Sequence, residues 1–108
     1  MKQGDVYWFT FRAPDKLRPV LILTRSSAIT YLTGITVAQI TTTIRGTASE
    51  VLLIPGEDGV FAECVVNTDN IHTIQKSLFG SFITELSAER MREVRMAIEF
   101  TLGFDALT

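Results

Sequence analysis

The pattern of apolar and polar positions changes period once along the chain. Up to about residue 85 the apolar residues fall in short runs broken by polar or turn-forming groups, as in a sheet of short strands. "DVYWFTF" (5–11) alternates, with Val6, Trp8 and Thr10 on one side and Tyr7, Phe9 and Phe11 on the other. Its aromatic and β-branched residues suit a strand, and both of its faces carry enough apolar surface to be partly covered. "PVLILT" (19–24) is a continuous apolar run, short enough for a buried strand, and Pro19 is tolerated as its first residue. "SSAITYLTG" (26–34) reads as a connector with room for one helical turn. "ITVAQITT" (35–42) and "ASEVLLI" (48–54) read as strands separated by a turn at Gly46. "PGEDG" (55–59), set between "VLLI" and "VFAECVV", predicts a hairpin. "NTDN" (67–70) reads as a polar break after the second arm, followed by the short extended pieces "IHTI" and "SLFGSFI".

Beyond that point the period becomes helical. Met91, Val94, Ile98 and Leu102 follow spacings of 3, 4 and 4, which puts them on one helical face. Ser87 is a suitable N-cap, Glu89 lies near the positive end of the helix dipole, and Leu86 and Met91 occupy the two positions of a hydrophobic staple. Gly103 stands where a left-handed stop belongs. The pattern predicts a helix over about 88–102 packed on a sheet. The fold class is therefore mostly β (α+β): a small, mostly antiparallel, strongly curved sheet or barrel with a C-terminal helix.

With 108 residues the chain is expected to form one domain spanning 1–108. A hydrophobic fraction of 46% and a mean hydropathy of +0.25 exclude disorder and leave little polar residue to cover the surface, so a homodimer is expected. No apolar run approaches the roughly 18–20 residues that span a membrane. The opening "MKQGDVYWF" has neither the apolar segment nor the cleavage site of a signal peptide and reads as the start of a fold. The lone Cys64 cannot form an internal disulfide, which fits a cytoplasmic protein, and its place inside an apolar strand suits the core better than catalysis. No H-x-x-H pair, Cys/His cluster, phosphate loop, dinucleotide fingerprint or G-x-S-x-G is present, so neither a metal nor a cofactor is expected. The net charge of −2 argues against a general nucleic-acid coat. Residues 1–50, however, carry six basic and three acidic groups, whereas residues 51–108 carry four basic and nine acidic ones. That asymmetry is either surface scatter or the mark of an anionic partner on a surface built by the first half.

An ordered set of segments carries a resemblance: "GDVYW", "RPVLIL", "AQITTT", "EVLLIPGEDGVFAECVVNTDNIHTI" and "LSAERMREVRMAIEFTLGF". In this order and at these spacings the chain resembles the MazF/PemK/Kid family of toxin endoribonucleases over nearly its whole length. The resemblance implies an SH3-like barrel with a C-terminal helix, a symmetric homodimer, and metal-independent cleavage of single-stranded RNA at short sequences. The products it implies are a 2′,3′-cyclic phosphate and a 5′-hydroxyl. It also implies a cognate antitoxin whose extended, often acidic segment masks the RNA groove.

Cleavage of RNA by its own 2′-hydroxyl needs a base, a cation or donor for the developing phosphorane, an acid for the 5′-oxygen, and in-line alignment. Arg18 is the first candidate. It keeps its charge at any physiological pH, it can grip a phosphate bidentately, and Pro19 fixes the backbone beside it. It matches the family's arginine before proline; without the resemblance it reads first as a solvated turn residue. Thr41 can donate to a phosphate oxygen or accept from a 2′-hydroxyl, and the family places a threonine there; strand propensity alone would also explain it. Asp69 is a candidate base by resemblance and also suits an Asx turn within "NTDN". Asn67 stands where some members carry a second arginine, and Asn70 where many carry a glutamine. Both remain candidate RNA contacts. Many members have a longer loop after the first strand than "RAPDKL", which leaves Arg12 and Lys16 as candidate phosphate contacts there. His72, the only histidine, fits a peripheral or phosphate-facing place better than a catalytic one. Two other readings stay open: a non-catalytic gyrase-poison toxin resembling CcdB, and an SH3-like binding module.

Overall fold

The computed structural model describes residues 1–11 and 16–106. Six strands occur in the order β1 (Asp5–Phe11), β2 (Lys16–Ile22), β3 (Gly34–Thr41), β4 (Glu50–Leu53), β5 (Cys64–Gln75) and β6 (Phe82–Glu85). A single helical turn, α1 (Ser26–Ile29), joins β2 to β3; another, α2 (Pro55–Asp58), joins β4 to β5; and α3 (Ala88–Thr101) follows β6. One sheet of order β4-β5-β3-β2-β1-β6 contains all six strands, and every neighbouring pair is antiparallel.

The sheet curls because both of its faces carry apolar residues. One core cluster joins Val6, Leu21, Ala38 and Ile40 from the middle strands to Val51 and Leu53 of edge strand β4, with Ile83 of the opposite edge packed against it. Edge strands share a core in this way only if the sheet bends around it, so the architecture is a half-barrel. The expected β-rich fold with a C-terminal helix is borne out. Helix α3 closes this cluster with Val94 and Ala97. Burial of a side chain such as Val94 contributes about 1.5–3 kcal/mol. A second cluster, of Phe9, Val20, Ile22, Ile29, Ile35, Val37 and Ile74, covers the other face. The two sides of "DVYWFTF" separate as the alternation predicts, Val6 into the first cluster and Phe9 into the second with Tyr7 and Phe11 beside it.

Several local expectations hold. Ser87 caps α3 by accepting from the Arg90 N–H at 3.1 Å, Leu86 is buried, and Gly103 ends the helix with φ +76. Gly46 turns the chain with φ +77, where a non-glycine residue would be strained. Arg90 then ties α3 to α2 through the buried Asp58 carboxylate at 3.1 Å, which also accepts the Ile54 N–H at 2.7 Å. Leu102 departs from the expected apolar face and is largely exposed.

Three boundaries differ from expectation. Strand β2 begins at Lys16 rather than Pro19, because its register with β1 runs through Trp8–Pro19, Phe9–Arg18 and Thr10–Leu17. Arg18 therefore lies within the strand instead of before it. The hairpin link "PGEDG" forms a helical turn, and the second arm starts at Cys64, opposite Leu53. "NTDN" is not a break: β5 runs on through it as one 12-residue strand. Its pairing with β3 jumps from Gln39–Asn67 to Ala38–Ile71, so residues 68–70 form a bulge. Thr68 anchors that bulge from inside, and this is why a polar tetrapeptide persists in a strand. Its N–H and hydroxyl both donate to the Ser49 carbonyl, at 3.0 and 2.6 Å, and its hydroxyl shares a 2.6 Å bond with Thr101. Replacing Thr68 by Val keeps the shape and removes the hydroxyl bonds, and is expected to cost about 1–2 kcal/mol. Urea unfolding that shows no loss would contradict the anchoring role.

Candidate active site

The β2–β3 ladder contains only three register pairs, Val20–Gln39, Leu21–Ala38 and Ile22–Val37. Continued by two places, this register would set Arg18 opposite Thr41, but no pairing forms there. The ladder ends at Val20, and the next residue outward, Pro19, has no N–H to offer. The two strands part at this point, and Arg18 and Thr41 line cavities on both sides of the opening.

One cavity, of about 230 Å³, is polar and is lined by Arg18, Gln39, Thr41, Thr43, Arg45, Asn67 and Asn70. Among the described residues its lining holds two arginines and no carboxylate. Sheet register explains why these residues meet. Gln39 pairs with Asn67, and Thr41 lies two residues along from Gln39, so their side chains share the face on which Arg18 stands. The bulge then brings Asn70 back beside Asn67, and its amide donates to the Gln39 side-chain oxygen.

Arg18 is half-buried, and among the described residues its Nε has no hydrogen-bond partner although it is shielded from solvent. A buried cationic donor without a partner is costly, so this group is preorganised to receive an acceptor. The Thr41 hydroxyl oxygen accepts from the Thr43 N–H at 3.1 Å, which leaves its proton free to donate into the cavity.

The other cavity, of about 220 Å³, is mainly apolar. Trp8, Leu17, Pro19, Ile40, Val60, Phe61 and Ile83 contribute to it alongside Arg18 and Thr41. Phe61 is 80% exposed and stacks on Trp8, with centroids 5.7 Å apart and planes at 26°. Gly80 holds the Trp8 backbone from behind: its N–H donates to the Trp8 carbonyl at 2.8 Å, and an added Cβ would lie 3.0 Å from that oxygen. Cys64 lies at the edge of this cavity. Burial, with a smaller contribution from the Asp58 charge, pushes its thiol above the ordinary value, so it is not a thiolate nucleophile at neutral pH.

The structure gathers Arg18, Thr41, Asn67 and Asn70 into one cleft. Asp69 is exposed on the bulge between the two asparagines and does not line the cleft; its N–H donates to the Asn67 side-chain oxygen at 3.0 Å. His72 also stands outside the lining, paired with Val37 and with its ring 5.2 Å from that of Phe11. Arg12 lies outside the described residues, and Lys16 is described only as the first residue of β2. Arg45 and Gln39 line the cleft and were not singled out from the sequence. The period of β3 puts Gln39 on the face of Thr41, whereas Arg45 sits in a turn that no periodicity reaches.

Comparison with known proteins decides the family. The sequence profile described as "PemK-like, MazF-like toxin of type II toxin-antitoxin system" matches residues 2–102. The chain belongs to this family. It is 38% identical over 103 residues to "Probable endoribonuclease MazF2" of Mycobacterium tuberculosis, covering 95% of this chain and 99% of that protein. Among solved structures it resembles "Mycobacterium tuberculosis toxin MazF-mt6" with a TM-score of 0.83 and 36% identity, over 92% of this chain and 96% of that one. It also resembles "Endoribonuclease in complex with its cognate antitoxin from Mycobacterial species", with a TM-score of 0.84 and 25% identity, over 95% of each chain. Within this MazF-like toxin, Trp8 is the only tryptophan and reports directly on the apolar cavity. Replacing Phe61 by Ala is expected to red-shift Trp8 emission while leaving the circular dichroism unchanged. Emission identical to the parent would mean that Phe61 does not shield the indole.

Proposed function

We propose that this MazF-family toxin is an endoribonuclease that cuts single-stranded RNA, including mRNA, and so arrests translation and growth until a cognate antitoxin neutralises it. The observation that carries the reading is the shielded Nε of Arg18, without a partner among the described residues, at the junction of a polar and an apolar cavity. The polar cleft offers fixed positive charge and neutral donors and, among the described residues, no competing carboxylate, which suits a phosphodiester. The apolar cavity beside it, walled by Trp8 and Phe61, suits a flanking unpaired base.

In this scheme the RNA 2′-hydroxyl loses its proton and attacks the adjacent phosphorus, the bond to the 5′-oxygen breaks as that oxygen takes a proton from water, and a 2′,3′-cyclic phosphate and a 5′-hydroxyl result. Arg18 stabilises the charge that builds on the non-bridging oxygens, and Thr41 donates a second hydrogen bond to it. Asn67 and Asn70 hold neighbouring phosphate or base edges from the rim of the bulge, and Arg12, Lys16 and His72 are further RNA contacts by the family resemblance. Asp69 takes the 2′-hydroxyl proton; that assignment rests on the family resemblance, since the side chain stands outside the cleft lining and must approach the RNA from the rim. The reaction proceeds without metal or cofactor. The antitoxin lays an extended acidic segment along the same cleft, in keeping with its two arginines. The toxin works in the cytoplasm as a homodimer of one-domain chains. The exposed Met96, Phe100, Leu102 and Phe104 at the C-terminal end support an apolar partner surface, and no helix among the described residues is long and apolar enough to cross a membrane.

Incubation with a long single-stranded RNA in EDTA, followed by mapping of the new ends, tests the reading. Discrete cuts with 5′-hydroxyl ends are expected. Arg18→Ala should slow them by about 100-fold or more, as expected for loss of a transition-state contact. Asp69→Asn should slow them by at least about 10-fold if it is the base. Intact RNA would overturn the reading, and supercoiling defects in cells expressing the toxin would then favour gyrase as its target.

A further inference from the structure

We propose that Arg45 is a second phosphate-binding cation of this site and that Glu50 is the positioning residue that sets it there. The inference rests on the ribonuclease reading and extends it to a residue on the loop between β3 and β4.

Arg45 lines the polar cleft together with Arg18, and among the described residues it makes no ion pair. Glu50, five residues away, is the natural partner for its guanidinium, yet it binds the loop's backbone instead. Its carboxylate accepts the Arg45 N–H at 3.0 Å and the Gly46 N–H at 2.8 Å. Register explains how it reaches them. Glu50 opens β4 opposite Asn67, and Asn67 in turn lies opposite Gln39, so the carboxylate rises on the cleft face of the sheet. The φ of +77 at Gly46 then turns the two successive N–H groups toward it. Two charge-assisted bonds to backbone donors thus hold the Glu50 carboxylate against the loop, and among the described residues no carboxylate pairs with the Arg45 side chain, which lines the cleft.

The two arginines differ in setting, and that separates their roles. Arg18 is half-buried within a strand, whereas Arg45 is exposed on a turn. An exposed cation at the rim is strongly screened and grips ground state and transition state alike. Arg45 therefore holds a phosphate flanking the cleaved one, fixing the strand's register while Arg18 meets the reacting group.

Binding of a 2′-O-methyl single-stranded oligonucleotide, which lacks the attacking hydroxyl, tests this by fluorescence anisotropy across a salt series. Arg45→Ala should weaken binding about 10-fold and lower the slope of log affinity against log salt by about 0.7, the share of one phosphate contact on a single strand. Arg45→Lys should restore the slope. On cleavable RNA the loss should fall mainly on KM. Glu50→Ala separates positioning from plain electrostatics, because removing a negative charge beside the cleft should tighten RNA binding if charge alone matters. The positioning role predicts weaker binding instead, and tighter binding would overturn it. Gly46→Ala disturbs the same loop without changing charge and should also weaken binding, which covers the case in which Glu50→Ala fails to fold. Unchanged binding in Arg45→Ala, with the parent protein still binding and cutting RNA, would overturn the inference and leave the ribonuclease reading intact. A parent protein that neither binds nor cuts RNA would overturn both.

Discussion

The β2–β3 ladder stops at Val20 and Gln39, two residues short of the point where its register would join Arg18 to Thr41. Pro19 marks the end of the ladder, since it cannot contribute an N–H. The functional end of the molecule is organised by that interruption. Had the strands stayed paired, the polar cleft and the apolar cavity would not open on either side of Arg18 and Thr41. A half-barrel with a continuous core supplies the rigidity; a local failure of pairing supplies the opening.

The second constraint is how the molecule handles its buried polar groups. Thr68 is buried and fully bonded, to Ser49 and Thr101. Asp58 is buried and held by Arg90 and the Ile54 N–H. Arg18, by contrast, keeps a shielded donor with no partner among the described residues. Satisfied groups of the first kind hold the bulge and the helix in place. Of the three shielded side-chain atoms without a hydrogen-bond partner among the described residues, in Asp5, Arg18 and His72, the Arg18 Nε is the one on a cleft residue, and the proposed mechanism completes it with a phosphate oxygen. The same logic explains the loop after β3, where Glu50 is engaged by backbone donors and two arginines face one cleft whose lining, among the described residues, holds no carboxylate.

Much of this was legible in the sequence. Alternation in "DVYWFTF" and the 3-4 spacing of Met91, Val94 and Ile98 in α3 follow directly from strand and helix geometry, and both appear as expected, whereas Leu102 does not join that face. The pairing of Arg18 with Thr41 could be named from a resemblance, but their meeting depends on a register that no local pattern contains. "NTDN" misled for a physical reason: turn-forming residues signal a break, whereas here tertiary bonds from Thr68 absorb them as a bulge inside one long strand. That difference carried Asn67 and Asn70 into the cleft and left Asp69 outside it. Arg45 stayed hidden because its place depends on a carboxylate five residues on and a left-handed glycine between them.

The central claim is that Arg18 and Thr41 act as a unit on one phosphate. A double-mutant cycle on the cleavage rate tests it most directly. Thr41→Val should slow the reaction about 10- to 100-fold in the parent protein and less than about 3-fold once Arg18 is already Ala, because residues that act on the same group are strongly non-additive. Equal effects of Thr41→Val in the two backgrounds would contradict the account.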